Sequence, residues 1–229
     1  MSQKNCPSAL PVPVNYMTFV PGRNNDSEFT CILHAGYNGV TKQAYHFENE
    51  SPALLNTRST DIYGEKVILC RKTLDEARRD FRWQRDAGLM ALNGYSRLEE
   101  TFAQYLTQCV SAYKKQPSHE IFSIKTTSNF EHIGNCAVYE LNRAESEAQI
   151  GILIGEPDYW DLGFGSEAVT LLVDHVFRDM GLNRIFLQTR TDNPRAVHCF
   201  GKCGFKEYGS LSRGGYDFKL MELFRTIRT

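Results

Sequence analysis

Residues Gly155–Ala168 read Gly-Glu-Pro-Asp-Tyr-Trp-Asp-Leu-Gly-Phe-Gly-Ser-Glu-Ala, and they join two patterned segments. Before them stands an apolar run of strand length, Ile150-Gly151-Ile152-Leu153-Ile154; after them Ala168–Met180 carries apolar residues at helical spacing. Strand, glycine-bearing loop and helix N-terminus in that order make an α/β unit whose loop amides lack intrahelical partners. The first N–H groups, around Gly163, Phe164, Gly165 and Ser166, together with the helix dipole, favour negative charge. A glycine pair before a helix serves equally well as an ordinary tight turn, so this feature alone does not decide between the two.

A second element decides more. Asp192-Asn193-Pro194-Arg195-Ala196-Val197-His198-Cys199-Phe200-Gly201-Lys202-Cys203-Gly204-Phe205 lies downstream. With it the chain resembles the GNAT superfamily of N-acetyltransferases. That family's loop, [Q/R]-x-x-G-x-[G/A], falls on Trp160–Gly165. Its later pattern, N-x-x-A-x-x-x-Y-x-x-x-G-F, falls on Asn193, Ala196, Phe200, Gly204 and Phe205. Tyr159-Trp160 before the loop and Ser166-Glu167-Ala168 after it are most similar to the branch acetylating ribosomal-protein N-termini, polyamines and antibiotics. The resemblance covers roughly Gly64 to Phe224.

The resemblance implies a GNAT fold and acetyl-CoA as acetyl donor. It implies that Leu153, Ile154 and Gly155 offer main-chain groups to the pantetheine arm, as an added strand would. Leu162, Gly163, Phe164, Gly165 and Ser166 would meet the diphosphate, with Asn193 and Phe200 beside the pantetheine and its thiol end. Asn193 before Pro194 is also a natural helix cap. The chain departs from the family where proton transfer usually sits. The glutamate expected two residues before the strand glycine is Gln149, and the tyrosine expected to protonate the thiolate is Phe200, which has no proton to give. Trp160 and Leu162 stand where relatives carry Arg or Gln and a basic residue, which leaves the diphosphate grip to amides. Substitutes for the missing groups are Glu147 and Glu156 as bases, and Cys199, His198 or Tyr139 as proton donors; each is also an ordinary surface or packing residue. Trp83, Arg85, Asp86 and Tyr95 lie around the first helix–helix connection, where relatives build the acceptor pocket; with Tyr139 they are the candidates for substrate contact, against plain core packing.

Composition narrows the setting. The 229 residues suit one domain plus an extension, and 41% apolar with 23% charged residues is ordinary for a soluble globular chain. A formal net charge of −1 gives no general attraction to nucleic acid or to an anionic membrane. No apolar run reaches membrane-spanning length. The seven cysteines (Cys6, Cys31, Cys70, Cys109, Cys136, Cys199, Cys203) are scattered and odd in number, and no secretory signal accompanies them. Free thiols in a reducing cytoplasm are expected. His198-Cys199 with Cys203 is better explained by one face of a short helix than by a metal site, so no metal is expected.

Local patterns predict the element order. Residues 1–60 are proline-punctuated; Phe29–Ala35 and Val40–Phe47 are expected to pair across Tyr37-Asn38-Gly39. This N-terminal, β-rich extension would pack on the domain or on a second copy in a homodimer; a poorly ordered arm is the alternative. From 61 to 229 the pattern predicts strand Glu65–Arg71, helix Leu74–Asp86 capped by Thr73, and helix Ser96–Lys115 with Ser96 and Glu99 as a capping box. Strands Ile121–Lys125, His132–Leu141 and Glu147–Gly155 follow, then helix Ser166–Met180, strand Arg184–Arg190, a helix from Pro194, and strands Phe205–Gly209 and Tyr216–Phe224. The fold class is α/β (α+β): a mixed, mostly antiparallel central sheet flanked by about four helices. The expected activity is acetyl transfer to a primary amine, on a small molecule or a peptide N-terminus. The alternatives are a non-catalytic acyl-CoA-binding module, suggested by Gln149 and Phe200, and a protein-interaction scaffold centred on residues 1–60.

Overall fold

The computed structural model describes residues 61–114 and 120–226, and the backbone of two strands at 16–21 and 29–34. The chain divides into two units, Met1–Asn56 and Thr57–Thr229. In the first, β1 (Tyr16–Pro21) pairs antiparallel with β2 (Phe29–His34), from Tyr16 opposite His34 to Pro21 opposite Phe29. The strand expected at Phe29–Ala35 is therefore present, with an upstream partner. The proposed turn Tyr37–Gly39 and strand Val40–Phe47 lie outside the described residues.

The second unit carries β3 (Ile62–Tyr63), β4 (Val67–Arg71), α1 (Ala77–Arg85) entered through a 3₁₀ turn, α2 (Ala87–Leu92) and α3 (Phe102–Lys114). Then come β5 (Glu120–Thr126), β6 (His132–Asn142), β7 (Glu147–Ile154), α4 (Phe164–Asp174), β8 (Arg184–Arg190), α5 (Pro194–Lys202), β9 (Lys206–Arg213) and β10 (Tyr216–Phe224). The eight strands form one sheet in the order β3-β4-β5-β6-β7-β8-β10-β9. Every neighbouring pair is antiparallel except β7 and β8, whose connection must cross the sheet and does so through α4.

The main core lies between the sheet and α4. Ala168, Val169, Leu172 and Val173 recur at helical spacing and pack on Val67, Leu69, Phe122, Ile124, Ala148, Ile150, Ile185 and Leu187. Helices α1 and α2 cover the other face. Glu76, leading into α1, receives hydrogen bonds from Thr73 N–H and the Ser123 hydroxyl, and ion-pairs with Lys125. Arg190 on β8 donates to Ala91 O of α2 at 2.5 Å.

One predicted boundary is corrected. The helix expected from Ser96 begins at Phe102, and its box is Thr101 with Gln104: Thr101 N–H donates to Gln104 Oε1 at 2.9 Å, and Gln104 N–H to Thr101 Oγ1 at 3.4 Å. Glu99 is held instead by Arg97 at 2.7 Å, and Leu98 N–H donates to Gln84 O at 2.7 Å, which docks the segment extended against α1. Thr101 and Gln104 have the same capping-box spacing, which was not singled out from the sequence, and theirs is the box that forms.

Candidate active site

Strands β7 and β8 pair over only three positions, Glu147 with Arg184, Ala148 with Ile185 and Gln149 with Phe186. Beyond Gln149 they part. Gly155 N–H donates to Ile133 O at 2.8 Å, so strand alternation commits the main chain of Gly155, and by parity of Leu153 and Gly151, to β6. The free edge is left to Ile150, Ile152 and Ile154. Of the three residues expected to offer main-chain groups, only Ile154 faces the gap, and its carbonyl already accepts from Trp160 Nε1 at 2.8 Å. Ile152 was not singled out from the sequence; the period-two alternation was the available signal.

At the mouth of the gap lies the glycine loop. Gly163 caps α4 with φ +88°, a conformation that excludes ordinary side chains. Gly155 is glycine for another reason: a Cβ there would run into the Trp83 ring. Gly165 answers to neither. A Cβ at that position would meet Ile154 Cγ1 at 3.6 Å and Cys199 Sγ at 3.9 Å, ordinary contacts, so the protein itself does not demand a glycine there. Lys66, just before β4, donates from Nζ to Leu162 O at 2.9 Å and from its N–H to Glu167 Oε1 at 2.8 Å, tying the loop and the first turn of α4 to the sheet. Ser166 Oγ lies 3.3 Å from Cys199 Sγ on α5, and Cys203 Sγ lies 3.4 Å from Ser166 O. Arg195, in the first turn of α5, stacks its guanidinium 3.6 Å from the Trp160 ring.

Several predicted roles change with this geometry. Asn193 is buried and spends its side chain internally: Oδ1 accepts from Ala196 N–H at 3.2 Å and Nδ2 donates to Leu92 O at 3.3 Å. Phe200 is 5% exposed, belongs to the main core and packs edge-on against Phe205 at 5.9 Å. Trp83 is buried between Gly155 and His132, with Nε1 donating to Glu156 at 3.1 Å, so it packs rather than lines an opening. Glu156 also ion-pairs with Arg82, and Glu147 is held by Arg184, which reaches Glu222 at 2.8 Å as well. Neither proposed base is free. Arg85 and Asp86 are exposed; Arg85 sits over Phe81 on α1, and Asp86 caps α2 through Leu89 N–H at 2.9 Å. Leu162 is largely exposed and His198 is exposed.

At the closed end of the gap, Gln149 is 3% exposed and its Oε1 has no hydrogen-bond partner; Gln188 Oε1, on β8, is likewise buried and unpartnered. Tyr139 lies opposite Gln149 in register, and its hydroxyl occupies the space a Cβ on Gly151 would need. Burial pushes the Tyr139 phenol well above its usual value and raises that of Tyr95, against the pull of the Arg213 charge. Glu140, in the bulge of β6 with φ +52°, is pushed up to about 6 by burial. Cys199 is held down to about 7, chiefly by a hydrogen bond from Cys203, whose own thiol is pushed up, with help from Ser166 and against its burial. Among the described residues no group of three or more His, Cys, Asp or Glu side chains is placed to hold a metal ion, and no helix is long and apolar enough to cross a membrane.

Known proteins share this fold. The chain is 25% identical over 153 residues to an uncharacterized N-acetyltransferase p20 of Bacillus licheniformis, spanning 66% of this chain and 84% of the relative. It is 33% identical over 79 residues to spermidine N(1)-acetyltransferase of Vibrio cholerae, spanning 34% of this chain and less than half, 45%, of that protein. The spermidine N-acetyltransferase of Vibrio cholerae, solved with CoA and spermine, superposes with TM-score 0.62 at 22% identity, covering 69% of this chain and 95% of that one. A GNAT-family acetyltransferase of Bacillus anthracis superposes with TM-score 0.61 at 16% identity, covering 72% and 98%. The acetyltransferase (GNAT) domain family matches residues 66–206, from the lysine that holds the glycine loop to the first residue of β9, and the chain belongs to that family as an N-acetyltransferase.

Proposed function

We propose that the chain transfers an acetyl group from acetyl-CoA directly to a primary amine, with both bound together. The observation that carries this reading is the gap between β7 and β8 with the glycine loop at its mouth. An unpaired strand edge, four loop amides and a glycine at 165 that no protein atom requires form a cradle for an extended arm ending in a diphosphate. Acetyl-CoA would supply an activated thioester. Ile152 and Ile154 would hold its arm as strand partners, and Gly163, Phe164, Gly165 and Ser166 would meet its phosphates.

The residues at the closed end hold more readily than they move protons. We assign Gln149 to positioning the amine, since its carboxamide cannot accept a proton at neutral pH. Phe200 supports the wall from within the core, and Glu147 serves its ion pair with Arg184. Tyr139 and Tyr95 are proposed to border the acceptor. Cys199 is the thiol by the loop able to exchange a proton near pH 7. Acid–base groups are worth about 10²–10⁴ in rate, whereas positioning supplies roughly 7–11 kcal/mol, so a site built mainly on positioning still turns over. It favours amines of low pKa, which reach the neutral form unaided. We assign the catalytic domain to 61–229 and the extension to 1–60, supported by the division of the chain at Asn56 and Thr57.

The test is free-thiol release from acetyl-CoA, with mass spectrometry of the acceptors, across spermidine, α-amino peptides and other small amines. Spermidine belongs in the panel because the Vibrio cholerae relative is a spermidine N-acetyltransferase. Acceptor-dependent thiol release with one acetylated product supports the reading; tight CoA binding without transfer to any amine refutes it.

A further inference from the structure

The glycine loop that would meet a diphosphate is acidic. Between Gly155 and Glu167 it carries Glu156, Asp158, Asp161 and Glu167 and no lysine or arginine. Loop amides alone would have to hold a multiply charged anion against these carboxylates. The structure brings three cations to the loop from elsewhere in the chain: Arg82, which is spent on Glu156, and two that lie nearer the glycines. Lys66 lies on one flank with its ammonium committed to Leu162 O. Arg195 lies on the other, half-buried, and its only interaction among the described residues is the stack on Trp160.

That placement follows from the fold. Helices α4 and α5 run side by side in the same direction, since Ser166 meets Cys199 and, one turn on, Thr170 meets Cys203. Both helices therefore begin at the same end, where the parallel strands part. Arg195, one turn before Cys199, projects past the first turn of α4 to the loop. Trp160 carries the guanidinium over its ring and is itself fixed by its bond to Ile154 O at the free strand edge. A planar fork of N–H donors, held 3.6 Å over an aromatic ring and given no carboxylate among the described residues, suits a phosphoryl group.

We propose that Arg195 binds a phosphoryl group of the CoA nucleotide and supplies the positive charge that the loop lacks. This rests on the acetyl-CoA reading above. The diphosphate and the ribose 3′-phosphate share that chemistry, and the choice of ligand separates them.

The experiment is calorimetry of the full chain with CoA, 3′-dephospho-CoA and pantetheine, for wild type, Arg195→Gln and Arg195→Lys, with thermal unfolding as a control. Arg195→Gln should weaken CoA about ten- to a hundredfold, the range of one charge-assisted contact, and flatten the salt dependence. Arg195→Lys, which keeps charge without the fork, should lie between. Pantetheine binding should not change. A penalty that survives with 3′-dephospho-CoA assigns the diphosphate; one that disappears assigns the 3′-phosphate. Equal CoA affinity for wild type and Arg195→Gln, or an equal loss with pantetheine, overturns the proposal. A wild type that binds no CoA overturns the acetyl-CoA reading itself. Should Arg195→Gln fail to fold, phenylglyoxal labelling of the wild type decides: adenosine 3′,5′-diphosphate should protect Arg195, and unchanged labelling refutes the assignment.

Discussion

Single residues in this protein owe their chemistry to burial more than to their type. Glu140 is the clearest case. Its carboxyl is pushed up from 4.5 to about 6 by burial, so the folded state binds a proton more tightly than the unfolded one. The sign follows: its contribution to stability is full below about pH 4.5 and is lost as pH rises through 6. Glu140→Gln should therefore stabilise the fold at pH 7 by ~1 kcal/mol, a value discounted for the screening of a half-exposed group, and flatten the pH slope between 4.5 and 6 in urea titrations. Phe200 illustrates the opposite case, a residue whose family counterpart is chemical and which here is core. Phe200→Tyr adds a hydroxyl among apolar neighbours. It should cost about 1–3 kcal/mol in denaturant unfolding, with no rise in kcat. A kcat gain at unchanged stability would show that the ring reaches the gap.

At the scale of elements, junctions between strand and helix carry the site, and helix ends decide how well they form. Gly165 stands in the first turn of α4 with room for a side chain. Gly165→Asp should fold normally, because an acidic residue suits a helix N-terminus. Its carboxylate would compete for the amides proposed to hold phosphate, so CoA affinity should fall by about tenfold or more on the charge-assisted scale. Calorimetry showing a folded variant with unchanged affinity would remove the loop from the binding site. The start of α3 gives an independent check. Thr101→Ala should destabilise by ~1 kcal/mol as a lost cap, whereas Ser96→Ala should stay within about 0.5 kcal/mol as an exposed loop change. Chemical denaturation of the two variants distinguishes the boundaries.

Taken as a molecule, the chain couples a family domain to an N-terminal unit with its own strand pair. A chain of residues 61–229 should unfold in one cooperative transition and bind CoA within about twofold of the full protein, since both flanks of the proposed cradle come from that segment. Loss of CoA affinity on truncation, read by calorimetry, would assign the extension a part in the site. Apart from the short helix α2, which was not expected, the order of elements from Glu65 to Phe224 was legible in the sequence because strand alternation, helical spacing, turn glycines and caps are each set by residues within about ten positions of one another. The glycine loop and the Asn193–Phe205 pattern were legible for the same reason. What they touch was not. The register at which β7 and β8 part decides that Gln149 is buried and that Ile152, not Leu153, meets the gap. The packing of α5 on α4 turns Phe200 inward and Arg195 outward over Trp160, 35 positions earlier in the chain. Lys66 reaches a loop 96 residues away. Such neighbours leave no periodic trace, because they are selected by the burial of the whole apolar core rather than by any local preference of the chain.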